Sequence, residues 1–321
     1  MIVRRRLIAL AALAPFAAPA GAQPPAFPAR PVTIIIGSSP GSATDGLARA
    51  IGLEVTKETG QSVIVDNRPG AFGGIAAQAV ARAQPDGYTL FMTTNTTQAA
   101  NPHLYRRLAY DPVKDFAPVA LLTKGWLVLV THPQVQARNV AELVALAKEK
   151  PGKLNYGSGS SSAQVATELF QQLTQTRLNY VPYKANPPAV VDLMAGQTDL
   201  MIVDFAVTLP QIKAGKLRAL GVSSPKRSPL LPDVPAIAET LPGYELGYWN
   251  ALYAPAGTPA PVVQRLNDLM RRALASAGVR HSIEQTGMEV TPSSPEELGR
   301  FQREEYERWG RIIRTAGIQP E

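Results

Sequence analysis

The 321-residue chain contains no cysteine and only three histidines. Without cysteine it forms no disulfide, holds no metal through thiolates and carries no lipid on an N-terminal cysteine, so we expect its hydrophobic core alone to hold the fold together. No group of histidine, aspartate and glutamate residues has the spacing of a metal site. The sequence therefore predicts neither a metal site nor a cofactor.

The chain also lacks a membrane-spanning segment at its N terminus. The apolar run at residues 7–16 is well short of the roughly 20 residues that a spanning helix needs. It follows Arg4-Arg5-Arg6 and precedes Ala20-Gly21-Ala22, which is the pattern of a secretory signal peptide. We predict a signal peptide over residues 1–22, cleaved after Ala22, and export by either the general secretory or the twin-arginine route.

A strong excess of one charge is missing as well. The formal net charge is +7, and removing Arg4-Arg5-Arg6 with the signal peptide leaves +4. The positive residues are mixed with acidic ones, as in residues 300–311, and no basic stretch is interleaved with aromatic residues in the way that nucleic-acid binding favours. We therefore expect no nucleic-acid partner.

The chain does contain a regular alternation of short apolar strands and amphipathic helices. This pattern begins near residue 32, and it restarts after a helix whose capping box is formed by Asn139 and Glu142. Nearly continuous apolar strands are typical of a parallel sheet covered by helices on both faces, so the sequence predicts two α/β units. The predicted strands are residues 32–37, 62–66, 88–94, 154–156, 179–183, 199–204 and 217–222, and the predicted helices are residues 44–58, 73–83, 163–173, 187–195 and 209–214.

Two extended, aromatic-containing segments, at residues 124–131 and 244–254, separate the two units and are suited to be strands that run between domains. Beyond them, Thr258-Pro259 opens one helix and the capping box at residues 294–297 opens another, whose apolar stripe predicts a packing face. We expect both helices to return to the first unit. The predicted architecture is two α/β domains joined by a two-strand hinge. Domain 1 is discontinuous, with residues 24–125 plus 251–321, and domain 2 is residues 126–250.

Each unit has a loop rich in glycine and serine between a strand and a helix. Neither loop matches the phosphate-binding or dinucleotide-binding glycine motifs. Both place hydroxyls and free backbone amides where a helix starts and where ligands of open α/β sheets bind, so two such loops across a hinge would hold a small anion. The alternative is that the hydroxyls only cap their own helices, with Thr44 or Asp45 as the cap of the first. The residues assigned to the ligand site in these loops are Ser38, Ser39, Gly41, Ser42, Ala43, Thr44, Asp45, Ser158, Gly159, Ser160, Ser161 and Ser162.

Polar residues also end two of the predicted strands. Asn95 offers an amide that suits a polar ligand, or that ends its strand in a turn. Asp204 and Phe205 are placed to face the cleft. The Asp204 carboxylate would repel an anion, so it would accept a hydrogen bond from a hydroxyl, an amine or a protonated group of the ligand, or cap a turn or the helix that follows.

An enzymatic interpretation fits part of the second loop. Gly159-x-Ser161-x-Ala163 is one residue away from the G-x-S-x-G nucleophile elbow, and Asp199 or Asp204 followed by His281 gives the chain order of an α/β-hydrolase triad. The match is loose because His281 lies in a polar, helical stretch, where a solvated histidine is expected. A secreted serine hydrolase using Ser161 stays as an alternative function.

Eight short stretches of the chain form a further pattern. They are F-P-A-R-P-V-T-I (27–34), V-D-N-R-P-G-A (65–71), P-D-G-Y-T-L (85–90), Y-D-P-V-K-D-F (110–116), P-G-K-L-N-Y-G-S (151–158), V-P-Y-K (181–184), K-A-G-K-L-R-A-L (213–220) and A-P-A-G-T-P (254–259). Any one of them is a weak signal, but eight in order are a strong one. With them the chain resembles the Bug (Bordetella uptake gene) or TctC-like periplasmic solute-binding proteins of tripartite tricarboxylate transporters.

The resemblance implies a Venus-flytrap protein of the periplasm that is not an enzyme. Such a protein captures a small organic carboxylate between its domains and delivers it to the membrane permease; here the loops at residues 38–45 and 157–162 would hold the acid, partly through waters. We expect a monomer. The first loop, Gly37 to Ser42, departs from the Pro-Phe and Pro-Gly-Gly stretches of many members, so the identity of the acid does not transfer. A subunit that presents its liganded form to a signalling protein is a further possibility.

Overall fold

The computed structural model describes residues 27–284 and 286–320, so the predicted signal peptide and its cleavage site lie outside the described residues. Within those ranges, no helix has the length and apolar character needed to cross a membrane. The strands are β1 (Val32–Ile36), β2 (Val63–Asn67), β3 (Thr89–Thr94), β4 (Phe116–Thr131), β5 (Asn155–Ser158), β6 (Asn179–Pro182), β7 (Leu200–Asp204), β8 (Arg218–Val222), β9 (Gly247–Pro255) and β10 (Met288–Val290).

Most of the helices alternate with these strands in the order that the sequence predicts, but the helices at Asn101–Leu104 and Ala277–Glu284 and the strand β10 were not predicted. A π-helical turn at Thr96–Ala100 precedes the third helix, and short 3-10 turns lie at Ala71–Gly73 and Ile237–Glu239. The α-helices are α1 (Ala43–Thr59), α2 (Gly74–Ala81), α3 (Asn101–Leu104), α4 (Val140–Glu149), α5 (Ser161–Thr174), α6 (Asn186–Met194), α7 (Phe205–Lys213), α8 (Ala260–Ala275), α9 (Ala277–Glu284) and α10 (Pro295–Thr315).

The strands of the described residues form one sheet in the order β2-β1-β3-β9-β4-β7-β5-β6, with β8 and β10 also pairing with β4. The strands β1, β2 and β3 are parallel to one another, as are β5, β6 and β7, whereas β4 and β9 run antiparallel to their neighbours. Two parallel groups therefore flank an antiparallel centre. Because parallel strands end at one edge, each group presents its loops on a single side.

Strand β4 connects the two halves of the sheet. Its first part, from Phe116 to Trp126, pairs with β9, whereas Leu127 to Thr131 pair with β7. The second connection is the segment before β9, since Tyr244 donates a hydrogen bond from Oη to the carbonyl of Ala166 in α5 before the chain enters β9. Two segments thus pass between the halves.

The C-terminal helix α10 packs its apolar stripe on the first half of the molecule. Ser294 caps the helix by accepting from the amide of Glu297, and the Glu297 side chain accepts from the Ser294 amide, which is the predicted capping box. Trp309 is 1% exposed, and its Nε1 and that of Trp249 both donate to the buried carboxylate of Glu305, at 3.1 and 3.0 Å. This helix therefore belongs to the core, as its periodicity predicts.

Several helix starts differ from the sequence prediction, including that of α5, which begins at Ser161 and not at residue 163. Helix α1 is capped by Ser42, not by Thr44 or Asp45. Helix α8 begins at Ala260 rather than directly after a Thr258 cap, because the hydroxyl of Thr258 donates to the carbonyl of Pro255 instead of capping. Helix α7 begins four residues earlier than predicted, at Phe205.

Candidate ligand-binding site

A cavity of about 100 Å³ lies between the two halves of the molecule, where the strands of both parallel groups end. This volume is well above the roughly 10–15 Å³ that a cavity needs to hold one water, so the cavity has room for a small ligand. It is lined by Gly37, Ser38, Ser42, Ala43, Thr44, Phe72, Gly73, Met92, Thr93, Thr94, Thr96, Thr97, Leu127, Gly159, Ser160, Ser162, Lys184, Ala185, Asn186, Pro187, Asp204 and Tyr248.

The start of α1 forms one wall of the cavity. Ser42 caps the helix with an oxygen 3.3 Å from the amide of Asp45 and donates to the hydroxyl of Ser38 at 2.9 Å. Among the described residues, no hydrogen bond uses the amides of Ala43 and Thr44, the first two of the helix. These amides and the helix dipole make this wall suited to an anion.

Asp45 supports the first loop and does not line the cavity. Its carboxylate accepts hydrogen bonds from the amide of Gly41 and from the side chains of Arg49 and Asn67, all at 3.0 Å. Burial raises the pKa of Asp45, but these hydrogen bonds, led by that from Arg49, lower it further than burial raises it, so the net shift is downward. Ser39 also lies off the cavity, and its carbonyl accepts from the amide of Ser42.

The start of α5 forms the opposite wall. Ser160 caps this helix by accepting from the amide of Ala163 at 3.3 Å, while the hydroxyl of Ser158, which lies behind the lining, donates to the Ser160 carbonyl. The hydrogen bonds of the described residues leave the amides of Ser161 and Ser162 unused. The cavity thus lies between two helix starts, one from each half.

Gly159 allows a close approach between the second loop and the chain after β6. A Cβ at this position would lie 2.0 Å from the carbonyl carbon of Ala185, so a larger residue would displace the backbone. The amide of Gly159 donates to Oδ1 of Asn186 at 3.1 Å, and Nδ2 of Asn186 donates to the Ser160 hydroxyl at 3.3 Å. The chain at Lys184 to Pro187 therefore completes this wall.

Two buried asparagines of the first half bind the second loop. Ser161 is fully buried and donates to Oδ1 of Asn101 at 2.9 Å, and Asn95, also fully buried, donates from Nδ2 to the Ser162 hydroxyl at 3.0 Å. Asn95 also accepts from the amide of Trp249 at 3.3 Å. Neither Asn95 nor Ser161 lines the cavity; both belong to the contact between the two halves.

The environment of Ser161 is not that of a catalytic nucleophile. Its hydroxyl proton is directed to the Asn101 amide oxygen, and the described hydrogen bonds give it no histidine partner. His103 is bonded to the carbonyl of Tyr306, His132 accepts from the amide of Gln134, and His281 lies on the exposed face of α9. A general base within hydrogen-bond reach is what a serine nucleophile requires.

Asp204 lies at the end of β7, lines the cavity and is 9% exposed. Its Oδ2 accepts from Nδ2 of Asn186 at 3.2 Å, and its Oδ1 has no partner among the described residues. Burial raises the pKa of Asp204, while the Asn186 amide and the backbone at the start of α7 oppose that shift. Phe205, in contrast, is buried, and its ring lies where a Cβ on Gly287 would meet it, so it does not face the cavity.

Four kinds of lining residue were missing from the sequence prediction. Lys184 is the only lysine or arginine among the described residues that line the cavity. Its side chain is exposed, and none of the described carboxylates forms an ion pair with it. It falls within the V-P-Y-K stretch at residues 181–184, one of the eight stretches that carry the family resemblance. The others are Thr93, Thr96 and Thr97, the Asn186 amide and the Tyr248 ring.

Comparison with known proteins identifies the family. The family model of TctC, the tripartite tricarboxylate transporter family receptor, matches residues 47–318. The chain belongs to the TctC family. The predicted resemblance to the Bug and TctC-like proteins is confirmed, since the family model matches most of the chain and the solved structure of BugD resembles the protein over most of its length.

Three solved structures illustrate the likeness of this TctC-family receptor. Rpa4515 of R. palustris, solved with adipate, is 36% identical and superposes with a TM-score of 0.89 over 92% of this chain and 100% of its own. The periplasmic binding protein BugD is 31% identical, with a TM-score of 0.88 over 92% and 100%. MatC of Rhodopseudomonas palustris, solved with bound malate, is 34% identical, with a TM-score of 0.85 over 89% and 100%.

These likenesses confirm the predicted fold class, a two-domain α/β periplasmic binding protein. This TctC-family receptor is therefore a periplasmic solute-binding protein, and its family is one of substrate-binding proteins. Two of the solved relatives hold carboxylates.

Proposed function

We propose that the protein captures a small organic carboxylate in the cavity between its two halves and delivers it to the permease of a tripartite tricarboxylate-type transporter. The observation that carries this proposal is the pair of helix starts, α1 and α5, that face the same cavity from different halves with their first amides unused. Each helix start is equivalent to roughly half a positive charge, so two of them suit one carboxylate.

The proposed contacts divide the predicted residues into three groups. Amides at Ala43, Thr44 and Ser162, together with the hydroxyls of Ser38 and Ser162, would donate to the carboxylate. Ser42, Gly159, Ser160 and Asp204 complete the lining. The other predicted residues would hold the loops in place without direct contact: Ser39, Gly41, Asp45, Asn95, Ser158, Ser161 and Phe205.

We propose the predicted domain division for the same protein, residues 24–125 plus 251–321 and residues 126–250. The pairing of β4 supports it, because the strand changes partners from β9 to β7 between Trp126 and Leu127. Closure about this point would bring the two helix starts together on the ligand. The protein would act as a monomer without enzymatic activity; a role in presenting the acid to a signalling protein uses the same binding step.

A thermal-shift screen over small organic acids tests the binding step. An acid at about 100 times its dissociation constant stabilises the fold by roughly 2.7 kcal/mol. With an unfolding entropy of about 2.1 cal/mol/K for each residue, that corresponds to a rise in melting temperature of about 4 °C. If only neutral compounds raised the melting temperature, the carboxylate proposal would be wrong.

Two further measurements separate binding, closure and delivery. Small-angle scattering with a saturating acid should give a smaller radius of gyration than without it, and an unchanged radius would contradict closure. Deletion of the gene in its host should abolish uptake of the acid found in the screen, and uptake that persists would leave a sensory role as the better explanation.

A further inference from the structure

Asp204 and Tyr248 lie side by side on one face of the sheet. Leu127 of β4 is directly opposite Asp204 of β7, and Gly125 of the same strand is directly opposite Tyr248 of β9. Residues two apart on a strand share a face, and cross-strand partners do too, so both side chains project from the same face on either side of β4.

Gly125 allows the Tyr248 ring to lie across β4 toward Asp204. A Cβ at residue 125 would be 2.7 Å from Cζ of the ring and 2.9 Å from its hydroxyl oxygen. Tyr248 is 6% exposed and lines the cavity together with Leu127 and Asp204. The register of three strands therefore places a phenol beside a carboxylate at the wall of the cavity.

Both groups have an unused hydrogen-bonding atom. Among the described residues, Oδ1 of Asp204 and Oη of Tyr248 have no hydrogen-bond partner, and both atoms are shielded from solvent. Burial and the nearby charge of Asp204 raise the pKa of Tyr248 well above its ordinary value, so the phenol keeps its proton and can donate. Buried polar atoms are nearly always paired, and two unpaired atoms at one cavity wall point to a ligand group.

A hydroxyl is the group that satisfies both atoms at once. It donates one hydrogen bond and accepts others, so it can donate to the Asp204 carboxylate and accept from the Tyr248 phenol. An ammonium group can only donate, and a second carboxylate can only accept and would lie beside a like charge. The last torsion of Asp204 is a broad one, so its two carboxylate oxygens can exchange places between Asn186 and a ligand.

We propose that Asp204 and Tyr248 form a hydroxyl-recognition subsite, and that the carboxylate captured by this protein carries a hydroxyl group. The inference rests on the proposed function. The carboxylate of the bound acid would lie at the starts of α1 and α5, and its hydroxyl group would lie against β7 and β9. Besides Asp204 and Tyr248, the described lining residues include one more ionisable side chain, that of Lys184.

Isothermal titration calorimetry on the mature full-length chain tests the subsite with acids of one carbon skeleton. The first set is succinate, malate and aspartate, and the second is propionate, lactate and alanine. In at least one set the hydroxy acid should bind about tenfold to a hundredfold more tightly than the unsubstituted acid, and more tightly than the amino acid.

The variant Tyr248→Phe removes only the phenolic oxygen. It should lower the preference for the hydroxy acid by about tenfold, with the fold unchanged or more stable in the absence of acid because an unpaired buried hydroxyl has been removed. Tyr253→Phe is the matched control, since Tyr253 is on the same strand, is fully buried and does not line the cavity, and its Oη has no partner in the described part of the chain. It should leave the preference unchanged.

Asp204→Asn gives a second readout, because an amide keeps the shape of the side chain. The hydroxy acid should lose affinity in this variant while the unsubstituted acid does not. The subsite is refuted if unsubstituted acids bind as tightly as hydroxy acids, or if the preference survives both substitutions. It is also refuted if unsubstituted acids bind more tightly as the pH falls and Asp204→Asn removes that effect, since Asp204 would then donate its own proton to the ligand. Failure of every acid in the wider thermal-shift screen to bind would instead refute the proposed function.

Discussion

Replacement of Ser161 by alanine tests whether this serine joins the two halves of the molecule. The side chain is fully buried, and its hydroxyl donates to Oδ1 of Asn101 across the contact between the halves. In Ser161→Ala the Asn101 oxygen stays buried without its donor, which costs about 1–3 kcal/mol. Alanine has a slightly better helix propensity at the start of α5, so we expect a net loss of about 1–2 kcal/mol.

The assay is thermal and urea unfolding of the single and double variants. With an unfolding entropy of about 2.1 cal/mol/K for each residue, a loss of 1–2 kcal/mol lowers the melting temperature by about 2–3 °C. Asn101→Ala should cost more, about 2–4 kcal/mol, because Asn101 also donates to the carbonyl of Phe72 and to the hydroxyl of Tyr110. In the double variant the two effects should fall short of additivity by about 1 kcal/mol.

The same variants should bind the acid more weakly. The bond joins α5 to the segment after β3, so its loss disfavours the closed arrangement, and 1.4 kcal/mol of lost closure corresponds to a tenfold loss of affinity. Additive effects in the double variant would refute the assignment of this pair. Ester or amide turnover that is present in the parent protein and disappears in Ser161→Ala would refute it more strongly, because Ser161 would then be a nucleophile.

Three further predictions concern the loops and the core. Gly159→Ala should lower the affinity for the acid at least about tenfold in calorimetry, because the new Cβ would meet the backbone of Ala185. The control is Gly46→Ala, at an exposed helical site with nothing within 4 Å of a Cβ, and it should stabilise the fold by about 0.5–1 kcal/mol. Asp45→Asn should lower the urea midpoint at pH 7, and the midpoint of the variant should fall less in acid than that of the parent protein. Burial raises the pKa of Asp45, but its hydrogen bonds give a net lowering. The stabilisation from the Asp45 carboxylate is therefore present above about pH 4 and is lost as the pH falls through the lowered pKa. Trp309→Ala should cost about 3–5 kcal/mol in urea unfolding, and a loss below 1 kcal/mol would show that α10 is not part of the core.

The parts of the fold that were predictable from sequence are those held by local hydrogen bonds. Asn139 and Ser294 begin their helices where the sequence places them, because each side chain accepts from the amide three residues on. The predicted capping box is complete only at Ser294, since the Glu142 carboxylate accepts from the amide of Arg138 and not from that of Asn139. Strand β4 was only half predicted. Its first eight residues include Pro118, which lowers strand propensity, and they are extended because β9 pairs with them.

The position of the candidate site was predictable for the same local reason, since a strand followed by small residues and a helix defines a site in this fold class. The contribution of Tyr248 was not, because it depends on the register of β9 against β4 and on the absence of a side chain at Gly125. The role of Asn101 was not predictable for the same reason, because its hydrogen bond to Ser161 joins residues 60 positions apart. Side chains that act across the sheet leave no local pattern in the sequence.

The serine-rich loops offer fewer free hydroxyls to a ligand than the sequence predicts. Most of their hydroxyls already serve the framework: Ser42 and Ser160 cap helices, Thr44 donates to Asn250 at 2.8 Å, and Ser161 donates to Asn101. Small hydroxyl residues are thus needed mainly because they fix two helix starts against the opposite half while leaving the first backbone amides free. A carboxylate bound there would be held chiefly by backbone donors, which cannot be removed by substitution of a side chain. Single serine-to-alanine changes in the lining should therefore weaken binding less than Gly159→Ala, which moves the backbone itself.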